Sequence, residues 1–216
     1  METDIERATA LMAEGGAAGA AADHAAAKQC FEAALAIRRQ AHGEMHPDVA
    51  ATLSHLGQVS DALGDTAAAR DCFEQALAIR RQVLGDAHPD VALSLNDLGV
   101  VLSSLGDHAA ARDRHEQALA ASRQALGEAH PKVAVSLTNL GIVSGRLGDH
   151  ARARDCFRQA LAIRRQALGE AHPDVAESLD NLAKAYRALG DDAAARDCLE
   201  QARELLLRSL RDPDPA

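Results

Sequence analysis

The side chains with chemical capacity in this 216-residue chain are ten histidines, four cysteines and a set of arginine pairs. Four of the histidines, His46, His88, His130 and His172, open the strings HPDVA or HPKVA, each 42 residues beyond the last. His42 and His46 lie four apart, but Gly43 and Pro47 break the helix that would align them, and no third ligand is evident. Structural zinc wants a closed set of four cysteine or histidine ligands at short spacing, and none occurs, so no metal and no cofactor are expected. Cys30, Cys72, Cys156 and Cys198 share one position of the same period, which Arg114 takes once. Equivalent positions in stacked units lie a helix pair apart, beyond the ~7 Å Cα separation that a disulfide tolerates. Four reduced thiols in a reducing compartment are therefore expected. No nucleophile–base set, phosphate-cradling loop or paired carboxylates stand out, because the glycines end helices and do not cluster. The expectation is a protein without enzymatic activity.

Composition narrows the field further. Alanine supplies 49 residues, there is no tryptophan, and only Phe31, Phe73, Phe157 and Tyr186 carry large aromatic rings. Abundant alanine and leucine with few β-branched or aromatic residues favour helices over sheet. A net charge of −9 with so few rings argues against nucleic acid, which needs phosphate-neutralising cations and stacking platforms. No stretch approaches the ~18 uncharged apolar residues of a membrane span. The acidic start, METDIERATALMAEGG, lacks the basic region of a secretory signal, so a cytoplasmic location is expected. The pairs Arg38–Arg39, Arg80–Arg81 and Arg164–Arg165 sit near Glu32, Asp71 and Glu74, which reads as a solvated outer face.

What positions these residues is an internal repeat. Residues 46–87 and 130–171 agree at 29 of 42 aligned positions. The units are 46–87, 88–129, 130–171 and 172–211, with a degenerate unit over about 4–45 and a tail at 212–216. No linker interrupts them, so the whole of 1–216 is read as one array. Pro89 suits a first helical position, where a missing N–H costs nothing, and Asp90 complements the positive helix start. Val91, Leu95, Leu98, Leu102 and Leu105 then recur at helical spacing, Gly106 ends the helix and Asp107 can cap the next. A second stripe runs Ala69, Phe73, Ala76, Leu77, Ile79 and Leu84, closed by Gly85. Each unit is helix, tight turn, helix, short loop, and two such helices must stack on neighbours to bury their stripes. Small residues at Gly57, Gly99, Gly141 and Ala183, and at Ala69, Ala111, Ala153 and Ala195, allow close helix approach. The third unit departs from the rest: His115 stands where others have phenylalanine, and Ala121–Ser122 where they have Ile–Arg. These changes are either drift at a tolerant site or a softer joint at mid-array.

The pattern L-x-x-L-G in the first helix and A-x-x-x-F-x-x-A in the second resembles the tetratricopeptide repeat. The 42-residue period and the bridging segment ALAIRRQVLGDAHPDVA are similar to the kinesin light chain type of that repeat. The resemblance spans about residues 22–211 and implies an all-α, right-handed α-solenoid of about five helix-turn-helix repeats. The HPD triplet also occurs in the chaperone-stimulating J-domain, but there it appears once. Here it recurs with the repeat and its proline opens a helix, so a loop-and-cap role is expected, with the histidine on the adjacent helix end.

In repeats of this type the first helices line a concave wall. Asparagines there suit the backbone of an extended peptide, since they both donate and accept. The residues expected to bind a peptide are Asn96, Val100, Asn139, Ile142, Arg146, Asn181, Lys184 and Arg187. Acids at Asp97, Glu177 and Asp180 thin the basic groove of the family, which points to a mixed-charge peptide contacting Val100 and Ile142. The expected function is a scaffold that holds a partner protein's peptide or helix. Two alternatives remain open: a homo-oligomer formed through the terminal helix, where Leu205, Leu206, Leu207 and Leu210 cannot all face inward, and a regulatory sensor arm of a signalling complex.

Overall fold

A computed structural model describes the backbone of residues 2–211 and the side chains of residues 3–207. Among the described residues it contains helices and connecting turns and no strand. Ten helices follow one another: α1 (Glu2–Ala20), α2 (His24–His42), α3 (Pro47–Ala62), α4 (Thr66–Leu84), α5 (Pro89–Ser104), α6 (His108–Leu126), α7 (Pro131–Arg146), α8 (His150–Leu168), α9 (Pro173–Ala188) and α10 (Asp192–Arg211). They form two compact units, Met1–Asp107 and His108–Ala216. In each unit a helix packs on the ones before and after it in sequence, α1 to α5 in the first and α6 to α10 in the second. This is the all-α helix-turn-helix stacking that the repeat requires.

The helix starts show why the histidine–proline corner recurs. In α3, α5, α7 and α9 the proline opens the helix, and the preceding histidine turns its Nδ1 to accept the N–H two residues on. Those bonds run 3.1–3.2 Å, from the amides of Asp48, Asp90, Lys132 and Asp174. The imidazole thus satisfies an amide that the helix leaves without a partner. The second helices use aspartate: Asp23, Asp65, Asp149 and Asp191 each accept from the amide three residues on. Gly85 and Gly106 close helices at φ +82° and +87°, a region that side chains avoid.

One leucine and one alanine register recur at the centre of the core, beside a valine register that is 0% exposed at Val49, Val91, Val133 and Val175. Leu53, Leu95, Leu137 and Leu179 are 1–2% exposed, and Ala69, Ala111, Ala153 and Ala195 are 0–2% exposed. The small residue of the first helix has a specific task. A Cβ added at Gly57 would lie 2.8 Å from the Phe73 ring, and one at Gly15 would lie 2.7 Å from Phe31. Ring and glycine are therefore one packing unit, with the ring filling the space the missing side chain leaves. Where the ring becomes Leu199, which packs against the last core cluster, the small residue becomes Ala183.

Two expectations are corrected. Leu105 does not continue the buried stripe of α5; it caps the helix C-terminus and is 46% exposed, as Leu63 is at the same register. The first arginine of each pair is not on a solvated face. Arg80 and Arg164 are buried, and each reaches from a second helix to the first helix of the following repeat. Arg38 donates to Thr52 Oγ1 at 2.7 Å and to the Asp48 carbonyl at 3.1 Å. Arg80 makes the same bonds to Ser94 and Asp90, and Arg164 to Ser178 and Asp174. The second arginine links neighbouring second helices, as Arg39 does to Gln75 and Arg165 to Gln201. The pair is a staple between repeats.

Candidate peptide-binding groove

Of the expected binding residues, the structure brings four around one groove in the second unit. Ile142 and Arg146 stand on α7, Asn181 and Lys184 on α9, and the cavity between them is about 440 Å³. Its floor is Phe157 and Ala153 of α8, and Gly141, Gly145, Ala185 and Ala188 keep the walls low. The Phe157 ring, 6% exposed, reaches the floor because of the packing already described. With glycine at 141, the Phe157 ring lies so close that an added Cβ would fall 2.5 Å from it. Ile142 is 40% exposed, an apolar side chain held at the rim. Lys184 is drawn to Asp180 one turn back, Nζ to Oδ2 2.6 Å, which puts a solvent-exposed ion pair at the rim of the groove.

The other four residues are placed differently. Asn139 is half-buried on α7 and Arg187 is exposed on α9, and neither lines this cavity. Asn96 and Val100 belong to α5 in the first unit. Val100 is 44% exposed, whereas Asn96 is 8% exposed, at the inward register it shares with Ser54 and Thr138. Asn96 therefore does not share the register of Asn139 and Asn181; Asp97 does.

The first unit repeats the groove. A cavity of about 350 Å³ is lined by Gly15, Gly16 and Gly19 of α1, His24 and Phe31 of α2, and His55, Gln58, Val59 and Ala62 of α3. Each of these residues lies 126 positions, three repeats, before a residue lining the groove of the second unit. The geometry is shared and the chemistry is not: Gly16 stands for Ile142, His55 for Asn181 and Gln58 for Lys184. The His55 ring stacks on Phe31 at 5.3 Å with 20° between planes. Burial, then the charges of Arg38 and Arg80, lower its pKa and favour neutral imidazole. The floor residues Phe31 and Phe157, and His24 and His150 at the helix starts, were not expected as site residues. Their signal was the register shared by Gly15 and Gly141 with a ring sixteen residues on.

The thiols are quiet. All four cysteines are free, and burial pushes Cys72, Cys156 and Cys198 up, away from the reactive thiolate. The expectation that Gly43 and Pro47 keep His42 from His46, with no third ligand, is overturned. Their rings stack at 4.2 Å, and Asp48 joins them as a third potential ligand. No described helix is long and apolar enough to cross a membrane.

The groove belongs to a fold with known relatives. A crystal structure of a kinesin-light-chain-like protein of Podosopora anserina, with nearly identical TPR-like repeats, superposes with a TM-score of 0.85. It is 26% identical and covers 98% of this chain and 99% of its own. BtubC from P. vanneervenii shares the fold at a TM-score of 0.72 and 22% identity, covering 98% of this chain and 94% of its own. No curated protein is similar enough to add a relative. The tetratricopeptide repeat model matches residues 6–82, 62–124, 90–166 and 132–208, nearly the whole array. The chain belongs to the tetratricopeptide repeat family.

Proposed function

We propose that this protein is a non-enzymatic interaction scaffold that holds a peptide or helix of a protein partner. The observation that carries the reading is the groove of the second unit. It combines a floor formed by the Phe157 ring beneath Gly141, an exposed isoleucine and three hydrogen-bonding or charged groups, Arg146, Asn181 and Lys184, from two helices. Such a surface offers apolar burial for one or two anchor side chains and directional bonds for a backbone. The ligand class it fits is a short segment with an apolar anchor and an acid placed to meet Arg146. Asn139 and Arg187 extend the candidate surface beyond the cavity, and in the first unit the exposed Val100 is a candidate contact of its own. A random peptide library selected on the intact chain should yield such sequences. Fluorescence anisotropy should then show Ile142→Asp and Asn181→Ala each weakening the selected peptides at least about tenfold, as loss of a buried anchor or bond implies. Unchanged affinity in both variants would remove the groove from the proposal.

A second reading rests on α10. Leu205 packs partly against the core, but on the same helix Leu206 is 51% and Leu207 43% exposed; Leu210 lies outside the described side chains. Neighbouring leucines exposed on one helix form an apolar face that favours pairing of two copies. Light scattering at rising concentration separates the readings: a constant monomer mass excludes self-association and leaves the groove.

A further inference from the structure

We propose that the junction between α2 and α3 is a binding site for a divalent transition-metal ion, zinc being the probe of choice, with His42, His46 and Asp48 as its three protein ligands. His42 ends α2, His46 caps α3, and Asp48 is the second residue of α3. Gly43, at φ +82°, makes the turn that folds one histidine back on the other. The Asp48 carboxylate faces a nitrogen of each ring, its Oδ2 3.8 Å from His42 Nε2 and 3.7 Å from His46 Nδ1. The three ligand atoms lie within 4.8 Å of one another. Two ligands on one tetrahedral zinc sit about 3.4 Å apart at bond lengths near 2.1 Å, so small side-chain rotations close the set. Two imidazoles and one carboxylate are the donors that zinc and its neighbours prefer, and three protein ligands leave a fourth position for water.

A second observation points the same way. His42 Nε2 has almost no solvent access and no hydrogen-bond partner, although it faces a carboxylate. A buried polar atom left in that state carries a cost that a bound cation would remove. Its presence is also specific to this junction. The same register holds Leu84, Leu126 and Leu168 in the later repeats, while the histidine that caps the next helix recurs in all of them. Leucine is what the packing needs there, so His42 adds chemistry to a corner that folds without it.

Two features set the strength. His46 Nδ1 already accepts the Asp48 amide, so metal and helix cap compete for one lone pair. The cations Arg38, held by the Asp48 carbonyl, and Arg39, paired with Glu44 at 2.8 Å, flank the site. The affinity expected is therefore modest, a Kd on the order of tens of micromolar.

Isothermal titration of the intact chain with zinc chloride in chelator-free buffer should show one ion per chain. Zinc should also raise the thermal midpoint in a concentration-dependent way, since the unfolded chain lacks the site. His42→Leu installs the residue of the other repeats, so it should fold normally by circular dichroism, lose the site and lose the zinc-dependent shift. Asp48→Asn keeps the capping amide and should weaken binding at least about tenfold. Leu84→His recreates the set with His88 and Asp90 and should add a second ion. All four cysteines remain in each variant. Zinc binding that survives His42→Leu unchanged would place the ion on the thiols or elsewhere and overturn the proposal, as would the absence of binding at millimolar zinc.

Discussion

Arg164 and Ser178 meet across the junction of α8 and α9, guanidinium Nη1 to Oγ at 2.7 Å, with the Asp174 carbonyl accepting from the same nitrogen at 3.2 Å. Both side chains are buried, so removing Arg164 strips Ser178 Oγ and the Asp174 carbonyl of a charged donor, and Ser178 Oγ keeps only its own bond to that carbonyl at 2.8 Å. Such losses cost more than the bond itself contributes, because desolvation is no longer offset. Arg164→Ala should destabilise the chain by about 2–3 kcal/mol in urea unfolding, and Arg164→Lys should recover only part, since lysine lacks the planar fork. Equal stability of Arg164→Ala and wild type would show the staple to be decorative.

The α6–α7 junction lacks this staple. Ser122 stands where the arginine should be, and its hydroxyl lies 3.4 Å from that of Ser136, a weak substitute. His115, on the same helix, replaces the ring of Phe73 and Phe157. Both changes remove packing or bonding from α6, which leads to lower hydrogen-exchange protection in α6 than in α8. Ser122→Arg should raise protection of α6 and add about 1–2 kcal/mol, provided the guanidinium reaches Ser136 and the Lys132 carbonyl. Protection in α6 equal to that in α8 in the unaltered chain would dispose of the softer joint.

The glycine–ring pair gives a test with its own internal rescue. Gly141→Ala drives a methyl to 2.5 Å from the Phe157 ring, so something must shift, and overpacking of this kind costs about 1–3 kcal/mol. The last repeat already carries the compensated pair, Ala183 with Leu199. Gly141→Ala combined with Phe157→Leu should therefore be more stable than the sum of the single changes predicts, by about 1 kcal/mol in a double-mutant cycle. Strict additivity would mean that the two positions do not share their space. The same pair bears on binding, because the double variant alters the groove floor.

Most of the fold was legible in the chain because each repeat states it again. The histidine–proline corner, the terminal glycines and the leucine and alanine registers each occur several times at a fixed spacing, and a pattern repeated four times is hard to misread. The site was less legible. Ile142, Arg146, Asn181 and Lys184 were expected together and are together, but Asn96 was assigned to the groove by residue type when its register points inward. Arg80 and Arg164 were read from charge and neighbours along the helix. Their partners, Ser94 and Ser178, lie fourteen residues on, in another helix, and helical periodicity carries no information across that turn. The His42–His46 contact escaped for a related reason. A break in a helix was taken to separate two side chains, whereas the turn after Gly43 brings them into stacking distance.

A buried histidine and a half-buried aspartate give the chain opposing responses to acid. Burial lowers the His115 pKa to about 4, against 6.5 for the free side chain. Between those values the unfolded chain takes up a proton that the folded chain refuses, so stability is full above pH 6.5 and falls as pH drops toward 4. The span corresponds to about 3 kcal/mol at most. Asp97 works the other way. Burial raises its pKa to about 6 against the pull of Arg80, and its Oδ2 has neither solvent nor a partner among the described residues. Above the unfolded value of 3.8 the unfolded chain ionises first, so stability declines as pH rises from about 4 to about 6 and remains reduced at neutrality. Across the same window the two effects offset each other. Asp97→Asn, the residue found at this register in the next two repeats, should stabilise the chain at pH 7 by about 2 kcal/mol and give no gain below pH 4. In that variant the His115 response remains, joined by that of His55, whose pKa is also lowered, and stability should fall steadily on acidification. His115→Phe should show the converse, gaining stability as pH drops from 6 to 4. Urea midpoints at pH 4, 5, 6 and 7 for the two variants decide the matter, and parallel curves for both would refute the assignment of either group.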